Sequence, residues 1–202
     1  LLKLLQIENK SVFINLTANH QFNEKKIKSA LQELEQRPNQ NKQVFRANPY
    51  QEGIENNYGV LVTDAGTPGI SDPGNLVIQL AQKLNLPYSV LPGANAITPA
   101  IVASGFVNKE FTFFGFLPTK KGRQKQWEII SCHPYPAVIY ESVHRIPKFL
   151  EEAQIYLEPE RKICICREIS KAYEETIVTT VSALNKLEMK NKGEFVVVIG
   201  AS

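Results

Sequence analysis

The sequence predicts an α/β fold built from two domains, and two observations carry that reading. Short β-branched and apolar runs, YGVLVT (58–63) and YSVLP (88–92), alternate with stretches of helical spacing. That is the rhythm of a parallel sheet with crossover helices. At FTFFGFLP (111–118) the rhythm breaks, and the following β-runs outnumber the helices, as in a mixed second sheet. The predicted boundary divides an N-terminal α/β domain, 1–109, from a C-terminal mixed α/β domain, 110–202.

In chain order, VFINL (12–16) reads as a strand, and NEKKIKSALQELEQ (23–36) has the apolar spacing of an amphipathic helix. Residues 37–58 are polar and aperiodic, the pattern of a mobile surface insertion. After the 58–63 strand, Asp72 is the expected N-cap and Pro73 the first helical residue of a helix through NLVIQLAQKL. Gly93-Ala94-Asn95 leads into a helix ending near Gly105. In the second half, KKGRQKQWEIIS (120–131) is helical and AVIYES (137–142) a strand. VHRIPKFLEEAQIYL (143–157) is a helix that Pro147 either enters or kinks. KICICREI (162–169), ETIVTTV (175–181) and GEFVVVIG (193–200) are strands, with a short helix between the last two.

Composition narrows the function classes. A net charge of +3 permits an anionic partner without requiring one. No segment is long enough to span a bilayer and no signal peptide is visible, so a cytoplasmic location is expected. The three cysteines form no C-x-x-C pair, and Cys164 and Cys166 alternate onto one strand face. Reduced, buried thiols are the favoured reading over a metal site with His133, and no metal is expected. The chain opens on Leu1, and LLKLLQ reads as the end of a helix already under way, the look of a fragment.

Two glycine-rich turns stand where ligands collect in open α/β sheets, beyond the carboxyl ends of strands: TDAGTPGISDPG (63–74) and PGANA (92–96). Glycine lets a backbone approach a ligand closely. A phosphate cradle would add a lysine, yet this loop carries Asp64 and Asp72 instead. Such a loop suits a ligand with hydroxyls and a positive centre; an adenosyl sulfonium fits, and a nucleoside triphosphate fits poorly. Asp72 is the better helix cap; Asp64, at the strand end with no cap role, is the better ligand contact.

In order along the chain stand TDAGTPGISDPG, LPGANAITPAIVASGF, FFGFLPTKKGRQK, IYESVHR, CREISKAYEE and KGEFVVVIG. Together they resemble the ribosomal RNA small subunit methyltransferase I family of the tetrapyrrole methylase superfamily. NHQFNE (19–24) is similar to that family's His-x-x-Asn-Glu stretch. The resemblance implies a tetrapyrrole methylase-like fold of two α/β domains, parallel N-terminal sheet and mixed C-terminal sheet, with a cofactor cleft between them. It also implies a homodimer, S-adenosyl-L-methionine as cofactor, and 2′-O-methylation of a cytidine in small-subunit (16S) rRNA. The family's opening strand and Pro-Ile-Gly-Asn type loop have no counterpart here, and Asn95 stands where a smaller Ser or Cys is common.

Carried over by the motifs, cofactor contacts fall on Asp64, Ala65, Gly66, Thr67 and Ser71, and on Gly93, Asn95 and Ala96. Tyr140 and Glu141 are expected to face the cleft from the other domain, with Gly193, Glu194 and Phe195 closing over the adenine. The richest set for chemistry is Glu141, His144, Arg145, Arg167, Glu168 and Lys171, which suits a base plus phosphate anchors. The plainer alternatives are ion pairs, Glu141 with Arg145 or Arg167 with Glu168, and a helix cap for His144. Lys120, Lys121, Arg123 and Lys125 crowd a helix N-terminus, where the macrodipole disfavours cations, and are expected to bind RNA phosphates. Two rival functions are a methyltransferase of the same fold acting on a tetrapyrrole-like small molecule, and a truncated, non-catalytic RNA-binding relative.

Overall fold

The computed structural model describes residues 12–15, 59–62, 66–71, 74–83, 85, 88–107, 109–190 and 192–202. The expected helix over 23–36, the NHQFNE stretch, the 37–58 insertion, and Asp64, Ala65 and Asp72 lie outside the described residues. The chain divides into two compact units, Leu1–Ala94 and Asn95–Ser202. The second therefore begins at Asn95 rather than at residue 110.

In the first unit, β1 (Val12–Asn15) pairs in parallel with β2 (Gly59–Val62), Val12 opposite Gly59 and Asn15 opposite Val62. Helix α1 (Asn75–Lys83) starts two residues beyond Pro73, with the Gly74 carbonyl accepting from the Val77 and Ile78 amides. The run expected as a strand at 88–92 is irregular and exposed.

The second unit holds a five-stranded mixed sheet in the order β3-β4-β7-β5-β6. Its strands are β3 (Thr112–Phe116), β4 (Ala137–Ser142), β5 (Lys162–Arg167), β6 (Glu175–Thr180) and β7 (Glu194–Ile199). Strands β3 and β4 run parallel; every other pairing is antiparallel. The three inner strands are covered on both faces, which is why they read as near-continuous apolar runs, whereas edge strand β6 alternates in exposure.

On one face lie α3 (Arg123–Ser131), α4 (Ile146–Tyr156) and a 3-10 turn (Val181–Lys186), packed over Ile139, Ile165, Phe195 and Val197. Trp127 anchors this layer, fully buried, with its ring stacked on Tyr156 and tilted against Phe149. Each such side chain contributes roughly 1.5–3 kcal/mol by leaving water. On the other face, α2 (Ile97–Ser104) packs Ala100 and Ile101 against Val138, Cys164, Cys166, Val196 and Val198. Gly105 ends α2 in the left-handed conformation. Pro147 occupies the first turn of α4, so it enters that helix without kinking it. Cys164 and Cys166 are buried on one strand face, their sulfurs 3.7 Å apart, while Cys132 is exposed, against the expectation of three buried thiols.

Candidate functional site

In the first unit the two glycine-rich turns interlock. The Thr67 amide donates to the Ala94 carbonyl at 2.9 Å. Gly66 lies at φ +75°, and a Cβ there would sit 2.6 Å from the Ala94 oxygen. A Cβ on Gly93 would sit 2.7 Å from the Thr67 hydroxyl. At Gly66 only glycine lets the backbones meet, so two turns far apart in sequence form one backbone-lined cradle. Ser71 is exposed beside it in the chain, at φ +57°. Asp64 and Ala65, which would complete the set, lie outside the described residues.

Asn95 opens the second unit with a different task. Its Oδ1 accepts from the Thr98 amide at 2.9 Å, so its side chain caps α2. Ala96, the next residue, already has helical backbone angles.

At one end of the five-stranded sheet the register aligns Glu141, Phe195 and Arg167 across β4, β7 and β5, with Ser142 opposite Glu194. Successive strand residues point to opposite faces. Tyr140 therefore lies on the α2 face, edge-on to Phe113 and Phe116, while Glu141 is buried on the face covered by α3 and α4. The two side chains therefore lie on opposite faces of the sheet. Phe195 is buried in the core beneath α4, so its side chain is not free to cover an adenine.

Glu141 accepts from the Ser142 amide at 2.8 Å and pairs with Arg145 at 3.1 Å, the i,i+4 ion pair expected as the plainer reading. Its Oε2 is buried without a hydrogen-bond partner among the described residues. Burial pushes this carboxyl above its ordinary pKa, a rise that the Ser142 amide and Arg145 only partly offset. Arg167 pairs not with Glu168 but with Glu175, its cross-strand partner, at 2.9 Å.

Glu168 and Lys171 form a separate set with Glu194. Lys171 Nζ lies 3.0 Å from Glu168 and 2.8 Å from Glu194. The Glu194 amide donates to Glu168 Oε1 at 2.9 Å, and the Glu168 amide donates to the Glu194 carbonyl at the same distance. That amide, then Lys171, holds the Glu168 carboxyl below its usual range, and hydrogen bonds to Glu194 and Glu168 hold the Lys171 ammonium above its own. The backbone is strained here: Glu168 and Ser170 sit at φ +52° and +63°. Gly193, at φ +103°, leaves the room that Glu168 uses, since a Cβ would sit 2.5 Å from its Cγ. His144 is exposed in the turn before α4, whose N-cap is Arg145.

The basic stretch divides. Lys120, Lys121 and Lys125 are exposed, but Arg123 is buried and bound to Glu152, with Nε–oxygen distances of 3.0 and 2.7 Å. A guanidinium so enclosed cannot reach an RNA phosphate, which corrects the grouping of all four. Glu152 was not foreseen at all. Burial raises its carboxyl, but hydrogen bonds from Arg123 and Trp127 outweigh that and hold it below its ordinary pKa. Its position carried a signal: Phe149, Glu152, Ala153 and Tyr156 share the inward face of α4, so a carboxylate interrupts an apolar stripe.

A model of the family described as Tetrapyrrole (Corrin/Porphyrin) Methylases matches residues 7–185. Among curated proteins, the chain is 40% identical over 144 residues to ribosomal RNA small subunit methyltransferase I of Haemophilus influenzae, covering 69% of this chain and 51% of that protein. It is 38% identical over 153 residues to the protein of that name from Campylobacter fetus, covering 74% and 56%. The chain thus spans about half the length of the curated relatives it matches. Among solved structures it resembles cobalt precorrin-4 methyltransferase CbiF, with a TM-score of 0.57, 12% identity, and 92% and 73% of the two chains covered. It also resembles Thermus thermophilus uroporphyrin-III C-methyl transferase complexed with S-adenosyl homocysteine, with a TM-score of 0.51, 13% identity, and 87% and 72% covered. At those identities the likeness speaks for the fold alone. The mixed α/β sheet and the match across most of its length agree, and the chain belongs to the tetrapyrrole (corrin/porphyrin) methylases.

Proposed function

We propose that this chain is the S-adenosylmethionine-binding body of an enzyme that methylates the 2′-oxygen of a cytidine in small-subunit ribosomal RNA. The observation that carries the reading is the glycine cradle, where Gly66 and Gly93 let two turns close on each other and line one surface with backbone. Backbone amides and carbonyls at such a surface match the hydroxyls and amino group of an adenosyl amino acid. The names of the curated relatives support the reaction, and the S-adenosylhomocysteine bound in a structure of the same fold supports the cofactor.

Gly66, Thr67 and Gly93 would hold the cofactor, with Asp64 and Ala65 extending the contact. When bound, S-adenosylmethionine supplies a methyl group activated on a sulfonium. Lys171, whose ammonium two carboxylates keep charged at neutral pH, is not a proton acceptor. Lys120, Lys121 and Lys125 supply exposed positive charge for RNA phosphates. Among the described residues no helix is long and apolar enough to cross a membrane. A cytoplasmic, homodimeric enzyme is part of the proposal.

The test is transfer of labelled methyl from S-adenosylmethionine. Small ribosomal subunits lacking the modification should take up label in an alkali-resistant dinucleotide, the mark of 2′-O-methylation. Label entering a uroporphyrin-type acceptor and not the subunits would replace this reading with a small-molecule methyltransferase.

A further inference from the structure

The segment that carries the exposed lysines is held from beneath by two arginines. Arg123 Nη1 donates to the Pro118 carbonyl at 3.0 Å, and Arg145 Nη2 donates to the Leu117 carbonyl. Each guanidinium is fixed in turn by a carboxylate from elsewhere in the unit: Arg123 by Glu152 on α4, Arg145 by Glu141 on β4. Glu152 is itself oriented by the Trp127 indole N–H at 3.0 Å. The Lys120 carbonyl accepts from the Arg123 amide at 3.2 Å, and Gly122, at φ +86°, turns the chain into α3. Between these fixed points Thr119, Lys120 and Lys121 are exposed.

A buried arginine–glutamate pair is poorly explained by stability alone, because removing both charges from water costs about as much as their attraction returns. An apolar pair would fill the inward positions of α3 and α4 as well. What an apolar pair cannot do is donate to a backbone carbonyl at the root of a loop. Lysines on a long free loop lose conformational entropy on gripping a phosphate, and a loop already held avoids part of that loss.

We infer that Arg123, locked by Glu152, is a positioning residue that pre-orders the Lys120–Lys121 loop for RNA phosphates without touching RNA itself. This rests on the RNA reading above.

The experiment uses the full-length protein and the variants R123M, E152Q and K120A/K121A. Trypsin reports the clamp without any RNA: cleavage after Lys120 and Lys121 should quicken at least several-fold in R123M and E152Q. Calorimetry with S-adenosylhomocysteine should find the native stoichiometry, which keeps misfolded protein out of the comparison. Binding of a fluorescent small-subunit rRNA fragment is then followed from 50 to 200 mM salt. K120A/K121A should weaken binding and lower the salt slope by about 2, one per lost phosphate contact. R123M should weaken it roughly 5- to 20-fold, and R123M added to K120A/K121A should cost little more, because the clamp acts only through those lysines. Full additivity of R123M with K120A/K121A, or native trypsin rates in both clamp variants, would overturn the inference while leaving RNA binding intact. An unchanged slope in K120A/K121A would instead remove the RNA role of this loop, and the inference with it.

Discussion

Replacing Gly66 by alanine tests the cradle most directly. The backbone at Gly66 is left-handed, φ +75°, a conformation that costs an L-residue with a Cβ about 1–2 kcal/mol. The new Cβ would also lie 2.6 Å from the Ala94 carbonyl oxygen, which is backbone and cannot rotate away. The two turns must part, and the 2.9 Å bond from the Thr67 amide to Ala94 goes with them, about 1 kcal/mol more. Together these oppose the binding-competent form by about 2–3 kcal/mol, or roughly 30- to 150-fold in the dissociation constant for S-adenosylhomocysteine. Gly93 supplies the contrast. Its added Cβ would meet the Thr67 hydroxyl at 2.7 Å, a side-chain atom that can swing aside, and its Cβ neighbour on Thr67 is already at 3.8 Å. G93A should therefore bind only a few-fold more weakly, and that loss should vanish in a T67A background. Isothermal calorimetry on native protein, G66A, G93A, T67A and T67A/G93A measures all of this. G66A binding within twofold of the native chain would refute the cradle as the cofactor site, and a G93A loss that persists in T67A would refute the Thr67 contact as its cause.

Three further outcomes are expected. Burial raises the folded-state pKa of Glu141, so the folded protein holds a proton that the unfolded chain has released, and stability falls as pH rises through that interval. E141Q should remove this penalty, leaving Arg145 partly solvated and still bound to Leu117. Its melting temperature should exceed the native value by about 2–4 °C at pH 8 and converge on it near pH 4, and a gain that persisted at low pH would contradict the assignment. Both G193A and K171A should raise the Glu168 carboxyl pKa seen by carbon NMR titration, because the Glu194 amide and Lys171 both hold it down. In native protein Cys132 should react rapidly with a thiol reagent, while Cys164 and Cys166 react only on unfolding.

Local pattern was enough for most elements. KICICR, EFVVVI and AVIYES announce inner strands because both of their faces are covered, and alternation in ETIVTT marks an edge. Pro147 and Gly105 mark the start of one helix and the end of another through φ alone. The glycine turns were legible as places of close backbone approach because glycine is needed where such contacts form. Periodicity also places Cys164 and Cys166 on one face, since that depends only on a two-residue repeat.

Tertiary structure decided the partners. Arg167 chooses Glu175 over its neighbour Glu168 because the β5–β6 register sets the two opposite each other across the sheet. Glu141 and Tyr140 part company because the pleat sends adjacent side chains to opposite faces. Arg123 looks like a fourth cation in KKGRQK until α4 brings Glu152 against it. A residue's identity states what charge it carries and its spacing states which neighbours share its face. Whether that charge meets water, a phosphate or a buried carboxylate depends on chain segments that arrive from far along the sequence, and only the folded packing brings those together.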